Sequence, residues 1–447
     1  MKSFINHSHM KKKKRKKNLD IVFIILREES LGHKDLDHML PFLYFLSKND
    51  DFEYTARGII FGNKNDYTKS IDPRIKLLSN LKNIELEFIY KDDFLSKIKK
   101  FLEFKNNSII ANYFNRAINK IYIECLNARQ NNYDLVNKVG KVFVKSKSPL
   151  IITLHANPQA QKIATHIKQI NSRAKWMVIP HGTINVDNKM NLVTHLDKKE
   201  MSIGYRNYNK IDYFLVTSKL DLKIETIQGM ARDKGYVIGS PRYCKEWLKI
   251  KSNLKLDGKE VSINKNYKIR ALFCMPKRNL NIFWEELIRT IDFISSYKEI
   301  ELILLNYNSY FPKLPNHIAD RVNIRRYLIS KEYSTSKLIE WADIVFHAGT
   351  SVIFEFFMKN KVSVFPRYLS CNTLLCEKYN TGVNLSNRDE LRNFCNDAVA
   401  SLNDLKKNYK KKCIASNKKF NDDFIYANTK SVKLNIVKTL SKICDRF

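Results

Sequence analysis

The sequence predicts an α/β protein of two Rossmann-like, doubly wound domains that face each other across a cleft. Short apolar runs alternate with longer amphipathic segments, which is typical of βαβ units around a parallel sheet. The runs are continuously apolar, as expected of strands that helices cover on both faces. The pattern breaks once, in the polar stretch 250–268, and then restarts. A chain of 447 residues is long enough for two such domains.

Each predicted element follows from its own stretch of sequence. The strands expected in the first domain are Ile21–Leu26, Tyr54–Phe61, Ile84–Tyr90, Leu150–Leu154, Trp176–Ile179, Tyr213–Thr217 and Tyr236–Ile238. The helices expected between them are Asp37–Leu46, Phe94–Phe104, Phe114–Cys125 and Gln159–Ile170. The strands expected in the second domain are Ile269–Met275, Ile300–Leu305, Ile344–Phe346 and Val362–Phe365. Its expected helices are Trp284–Ser296, Lys337–Trp341 and Val352–Met358, with lysine-rich helices over 387–445. We therefore predict a flexible basic arm at 1–18, one domain at 19–255 and a second at 256–447.

The net charge of +34 is the most unusual feature of the composition. Such a charge favours polyanionic partners, namely nucleic acid, an anionic membrane surface or phosphorylated substrates. The abundance of Lys, Asn and Ile also fits an AT-rich genome, so the charge alone does not choose a function. The block Lys11–Lys17 is either a solvated tail or a segment that adheres weakly to anionic lipid.

Several classes of protein are excluded by composition. No run approaches the roughly 18 apolar residues that a membrane-spanning helix needs. The eight cysteines form no CxxC pair and no zinc-finger spacing with histidine, which favours reduced thiols in the cytoplasm. The sequence contains no GxGxxG, Walker P-loop, GxSxG or HExxH motif, and no RNA- or DNA-binding signature. Nucleic acid is therefore an unlikely partner.

In the first domain, polar residues follow the predicted strands at the edge where doubly wound sheets bind ligands. His181 follows Trp176–Ile179 through Pro180 and precedes Gly182, and a histidine there is a candidate general base or only a hydrogen-bonding loop residue. The same edge is expected to carry four candidates for contact with an acceptor, which are His33, Asp35, His155 and Arg242. Asp35 or Asp37 is alternatively a helix N-cap, and Arg242 a surface residue beside the domain boundary.

In the second domain, two turns suit a nucleotide. Lys277 and Arg278 follow the strand Ile269–Met275, where adjacent cations fit a diphosphate, although chance also places cations together in so basic a chain. The segment from Asp343 reads as a strand, a glycine-bearing turn and a helix, whose first amides are suited to phosphate. The candidate donor-binding residues of this segment are His347, Gly349, Thr350, Ser351 and Glu355. Thr350 or Ser351 is expected to cap the helix, and Glu355 is placed to accept ribose hydroxyls or to take part in capping.

These motifs together resemble the GT-B glycosyltransferase superfamily, and more narrowly its bacterial capsule and surface-polysaccharide branch, which includes the CDP-glycerol glycerophosphotransferases. The matching residues are HGT at 181–183, Asp212 with Ser218, GSPR at 239–242, PKR at 276–278 and D-x3-H-x-GTS-x3-E at 343–355. Two departures concern Pro180, where those phosphotransferases usually have Trp, and Asn306, where they have a second catalytic His. The departures favour sugar transfer over glycerophosphate transfer.

The resemblance implies an acceptor held by the first domain and a nucleotide-activated donor held by the second, CMP- or UDP-linked, with no metal and no further cofactor. It matches His181 to the HGT histidine, which is implicated in catalysis, and Arg242 to the arginine of G-x-P-R. We therefore expect a cytoplasmic glycosyltransferase for a surface glycan, peripheral at the inner face of the membrane if Lys11–Lys17 binds lipid. An alditol-phosphate transferase of the CDP-glycerol type and a non-catalytic, basic nucleic-acid-binding module are the alternatives.

Overall fold

The computed structural model describes eleven stretches of the chain, and all structural statements concern these residues. They are 17–26, 34–49, 52–62, 73–90, 149–154, 158–180, 208–256, 260–276, 282–306, 314–326 and 335–446. Within them the chain forms two fully parallel sheets, of seven and six strands. The predicted fold class is confirmed.

The first sheet has the strand order 3-2-1-4-5-6-7. Its strands are β1 (Lys17–Leu26), β2 (Phe52–Gly62), β3 (Ile84–Tyr90), β4 (Pro149–Leu154), β5 (Lys175–Ile179), β6 (Tyr213–Val216) and β7 (Gly235–Val237). The helices are α1 (Lys34–Ser47), α2 (Pro73–Ser79), α3 (Pro158–Ile170), α4 (Lys219–Ile227) and α5 (Lys245–Asn253). Every residue of β4 is buried, which explains why all of its residues except Thr153 are apolar.

The second sheet repeats this order, with two strands on one side of its first strand and three on the other. Its strands are β8 (Ile269–Cys274), β9 (Ile300–Asn306), β10 (Asn323–Arg326), β11 (Ile344–His347), β12 (Val362–Pro366) and β13 (Val383–Leu385). The helices are α6 (Trp284–Ser295), α7 (Asn316–Ala319), α8 (Thr335–Trp341), α9 (Ile353–Met358), α10 (Leu375–Lys378), α11 (Arg388–Ala400), α12 (Leu402–Phe424) and α13 (Val432–Cys444). The lysine-rich helices expected over 387–445 are therefore confirmed.

In each sheet, an aspartate that precedes one strand hydrogen-bonds to the backbone at the amino end of a neighbouring strand. Asp212 precedes β6; its backbone N–H donates to the carbonyl of Trp176 at 3.0 Å, and its carboxylate accepts the N–H of Trp176 at 2.7 Å. Asp343 precedes β11 and makes the same pair of bonds with Arg270, at 2.8 and 3.1 Å. Two residues of the sequence motifs thus stabilise the strand edge opposite to the expected ligand site.

The last helix leaves the second domain and returns to the first. α13 packs against α1 and β1, and the side-chain amide of Asn435 donates to the carbonyl of Val237 at 3.0 Å. Aromatic contacts also join the two domains, since the ring of Tyr243 lies 5.7 Å from that of Phe354. One continuous apolar core consequently extends from the first sheet into the second.

Several element predictions need correction. Lys17 and Asn18 belong to β1, paired with Phe52 and Glu53, and not to a flexible arm. β10 and β13 were not predicted; both are short and lie at the sheet edge, so pairing rather than sequence specifies them.

The predicted helices at 94–104 and 114–125 lie outside the described residues, as do residues 1–16. In the part of the chain that the structure covers, no helix is long and apolar enough to cross a membrane.

Candidate active site

The crevice of the second domain lies where the strand order reverses, between β8 and β11. Cys274 and His347, the last residues of these two strands, are paired in register. The chain therefore leaves both strands side by side, into Met275-Pro276 on one side and Ala348-Gly349 on the other. Ligands of doubly wound sheets bind at this switch point. Lys277 and Arg278 come next after β8 in the sequence but lie outside the described residues.

The turn after β11 contains a left-handed glycine and three successive backbone N–H groups without acceptors in the described chain. Gly349 has φ +88°, a left-handed conformation that a side chain disfavours. Within the described chain, the backbone N–H groups of Gly349, Thr350 and Ser351 donate to no acceptor. Successive free N–H groups of this kind form a concave anion-binding surface.

The predicted capping of the following helix is wrong. α9 begins at Ile353, and its N-cap is Val352, which has no capping side chain. The Thr350 hydroxyl instead accepts the N–H of Val352 at 3.3 Å, before the helix starts. The hydroxyl therefore stabilises the turn, and the free amides of the turn, not those of a long helix, are suited to phosphate.

His347 is buried to 1% exposure and belongs to β11 rather than to the turn. Its Nε2 lies 2.9 Å from the hydroxyl of Ser363, and its ring stacks on Phe365 at 5.8 Å. Burial lowers the pKa of the imidazole to about 3, so the ring is neutral at pH 7 and supplies no positive charge to a phosphate. Its Nδ1 has no hydrogen-bond partner within the described residues, which leaves a role as a neutral hydrogen-bonding group.

Glu355 is buried at the centre of a polar network behind the turn. Its Oε1 accepts a short hydrogen bond from the hydroxyl of Ser336 and pairs with Lys359 at 3.0 Å. Lys251 donates to the same Ser336 hydroxyl at 2.6 Å. Burial raises the pKa of the Glu355 carboxyl, but Lys251, Lys359 and Ser336 outweigh it and hold that pKa below its ordinary value. The carboxylate is ionised, and its contacts with Ser336 and Lys359 both use Oε1.

The Glu355 network connects the two parts of the chain. Lys251 belongs to α5, which follows the first sheet, whereas Ser336, Glu355 and Lys359 belong to the second domain. Sequence reasoning missed Ser336, Lys251 and Lys359. No motif marks them, because each becomes relevant only through a contact between distant segments.

Arg242 turns toward the first helix of the first domain. Its guanidinium lies 3.4 Å from the carboxylate of Asp37 and 3.0 Å from the His38 ring nitrogen Nε2. Asp37 also pairs with Arg74 through a short contact. Burial raises the pKa of Asp37, but Arg74, Arg242 and Lys251 outweigh it and hold that pKa below its ordinary value. Asp37 lies within α1 as an ion-pair partner, so its expected role as an N-cap is wrong.

The remaining candidates of the first domain are Asp35, three histidines and the motif residue Ser218. Asp35 lies in the first turn of α1, which begins at Lys34, so the capping alternative is also wrong for Asp35. The described residues exclude His33, His155 and His181. Ser218 is the N-cap of α4 and accepts the N–H of Asp221 at 3.0 Å, a structural role. No group of three metal-binding side chains is found among the residues that the structure describes.

Two Rossmann-like domains with crevices at their switch points define the GT-B fold, and comparison with solved structures agrees. The UDP-GlcNAc 2-epimerase of Neisseria meningitidis, solved with UDP-GlcNAc, is 12% identical with a TM-score of 0.53 and covers 95% of this chain and all of its own. HepE of Anabaena, solved with UDP and glucose, is 11% identical with a TM-score of 0.50 over 95% of this chain and all of its own. No family model and no curated protein sequence matches the chain. The chain therefore has the GT-B fold.

Replacing Gly349 with Ala tests the turn. An L side chain at φ +88° costs about 1–2 kcal/mol of strain, so the melting temperature should fall. Relief of that strain would rotate the free N–H groups, so nucleotide affinity should fall about tenfold. Gly229→Ala is the matched control, because Gly229 has φ +102° and a Cβ there would meet only Tyr208, at 4.0 Å. Equal loss of nucleotide affinity in both variants would contradict an anion-binding role for the turn at Gly349.

Proposed function

We propose that this chain is a metal-independent glycosyltransferase that transfers a sugar from a nucleotide-activated donor, CMP- or UDP-linked, to a surface-glycan acceptor. The observation that carries the proposal is the turn Ala348–Ser351 at the switch point, with its left-handed glycine and three amides that have no acceptor among the described residues. The cations Lys277 and Arg278 follow the adjacent strand β8. Cations and free amides at one crevice are suited to a leaving nucleotide diphosphate.

The individual roles follow from chemistry at the carboxyl edges of the two sheets. His181 deprotonates the acceptor hydroxyl as it attacks the sugar carbon, and Lys277, Arg278 and the turn amides stabilise the departing phosphate. Glu355 accepts a ribose hydroxyl through Oε2, while Ser336 and Lys359 orient its other oxygen. Contact with the acceptor is assigned to the first domain, through His33, Asp35, His155 and Arg242.

The proposal places the enzyme in the cytoplasm, with Lys11–Lys17 holding it against the anionic inner face of the membrane. Glycerophosphate transfer is disfavoured by Asn306, an amide that cannot act as a proton donor and acceptor in the way a histidine does. Epimerases of nucleotide sugars share the fold, as the Neisseria structure shows. A transfer assay should therefore also determine whether the donor sugar is epimerised.

The double variant Lys277→Ala/Arg278→Ala tests the donor site. We expect CMP, CDP, UMP, UDP and GDP to be distinguished in a thermal-shift panel, with one base stabilising the wild type. The double variant should bind that nucleotide at least about 100-fold more weakly, because each of two charged hydrogen bonds contributes about 1.5–3 kcal/mol.

The control for this experiment is Lys265→Ala/Lys268→Ala. These two exposed lysines precede the amino end of β8, so they match the charge change at the opposite end of the strand. They should leave nucleotide affinity unchanged. Wild-type affinity in the Lys277/Arg278 variant, or equal losses in both variants, would contradict the assignment of the donor site.

A further inference from the structure

A cavity lined by both apolar and basic side chains lies at the opposite edge of the second sheet. Its volume is about 550 Å³, and it lies between α12 and the amino ends of β11 and β12, which begin at Ile344 and Val362. The turn proposed to bind the nucleotide follows the carboxyl end of β11. The two sites therefore lie at opposite ends of the same strand, and Lys359, the ion-pair partner of Glu355, also lines this cavity.

The cavity is basic. Its wall contains five lysines, at 359, 361, 406, 410 and 418, against the two aspartates 343 and 422. Lys359 is neutralised by Glu340 and Glu355, at 2.8 and 3.0 Å. Asp343 is neutralised by Arg270 and Lys406, at 2.8 and 2.6 Å. Lys410 and Lys418 lie eight residues apart, on one face of α12, and form no ion pair within the described residues.

Lys361 is one of these five lysines. Its ammonium donates to the carbonyls of Glu340 and Ala342, at 2.7 and 2.8 Å, so two of its three N–H groups are used. Burial lowers the pKa of Lys361 to about 8. An anion in the cavity would relieve the repulsion among these cations.

Neutral polar groups complete the wall. Tyr409 and Asn417 are 7% and 8% exposed, and the Tyr409 hydroxyl and the Asn417 Oδ1 have no hydrogen-bond partner among the described residues. The Oδ1 of Asn421 is also buried without a partner there. Buried polar atoms that lack partners are costly unless a ligand or water supplies them. Amide oxygens accept hydrogen bonds, so a ligand with hydroxyl groups would satisfy them.

We propose that this cavity binds a phosphate ester that carries hydroxyl groups, either as a free metabolite or as the headgroup of an anionic lipid. The lysines contact the phosphate, and Asn417, Asn421 and Tyr409 contact the hydroxyls. The exposed side chain of Ile414 lies on the cavity wall between Lys410 and Lys418 along α12, where it would contact the acyl region of a lipid.

The probes are sn-glycerol 3-phosphate, inorganic phosphate and phosphatidylglycerol vesicles, with phosphatidylcholine vesicles as the neutral reference. Calorimetric titration measures binding of the soluble probes, and co-sedimentation measures binding of vesicles. Lys410→Gln/Lys418→Gln removes the two unpaired cations. Lys407→Gln/Lys411→Gln is the matched control, because these exposed lysines of the same helix do not line the cavity. Each pair is also made in the Lys277→Ala/Arg278→Ala background, so that binding at the proposed donor site does not contribute.

We expect sn-glycerol 3-phosphate or phosphatidylglycerol vesicles to bind to the wild type. The affinity of Lys410→Gln/Lys418→Gln should be at least about tenfold lower than that of the wild type. The affinity of the control should lie within about twofold of the wild-type value. Binding of the soluble ester identifies a metabolite site, and binding of vesicles alone identifies a lipid site. Asn417→Leu, which removes the amide oxygen proposed to accept a hydrogen bond from a ligand hydroxyl, should also weaken binding of the ester. No binding of either probe at millimolar concentration, equal losses in the two lysine pairs, or inorganic phosphate binding as tightly as the ester would overturn the proposal.

Discussion

His181→Ala should lower kcat for sugar transfer by about 10²- to 10⁴-fold, the range that general base catalysis contributes. The acceptor hydroxyl is a weak nucleophile, and an imidazole with an ordinary pKa near 6.5 can take its proton at neutral pH. The proposal rests on sequence position, because His181 comes two residues after β5 ends and doubly wound sheets bind ligands beyond the carboxyl ends of their strands. The measurement is transfer of radiolabelled sugar from the nucleotide donor that the binding panel selects.

His155→Ala is the matched control for this prediction. His155 directly follows β4, the neighbour of β5 in the sheet. Since the proposal assigns His155 to contact with the acceptor, its replacement should raise KM and leave kcat within a few-fold of the wild type. Nucleotide affinity should be unchanged in both variants, which separates loss of chemistry from loss of folding. Wild-type kcat in His181→Ala would refute the catalytic assignment.

The second large effect concerns stability and pH, and it arises from His347. The pKa of this imidazole is about 3 in the folded protein, against 6.5 for an ordinary histidine. Below pH 6.5 the unfolded chain therefore takes up a proton that the folded chain does not. Stability is thus full above pH 6.5 and is lost as the pH falls toward 3. The expected loss is about 2 kcal/mol at pH 5.

Urea unfolding of the wild type and of His347→Gln at pH 7, 6 and 5 measures this effect. Glutamine keeps a hydrogen-bonding group near Ser363 but does not titrate, so the variant should be less stable at pH 7 and lose about 2 kcal/mol less between pH 7 and 5. The carboxyls of Asp37, Asp343 and Glu355, whose pKa values lie below 3.8 or 4.5, affect stability only at lower pH. His317→Gln, at an exposed site, is the control. Equal pH dependence in the wild type and His347→Gln would contradict the prediction.

Most of the architecture was predictable because parallel strands covered on both faces must be apolar along their whole length. Leu150–Leu154 and Ile344–Phe346 could be located on this ground alone, and the structure extends each by only one residue. The short edge strand Val383–Leu385 was not predictable, because two of its three residues are only partly buried and its conformation depends on pairing with β12.

The candidate site was less predictable than the fold. The sequence indicates which polar residues follow strands, and Gly349 indeed adopts a conformation that favours glycine. It does not indicate where side chains point. His347 was expected to contact the donor, but β11 extends through it, and the ring packs in the core against Phe365. The donor-binding roles and the catalytic role of His181 stay predictions.

The sequence by itself determined the two doubly wound domains and the glycine-bearing turn after β11, because both depend on local patterns of apolar, glycine and polar residues. Only the tertiary structure decided which ionisable groups interact. The contacts of Glu355 with Ser336, of Arg242 with Asp37 and of Asp343 with Lys406 join segments 19, 205 and 63 positions apart. Burial and charge at such sites depend on folding of the whole chain, and no local pattern encodes them.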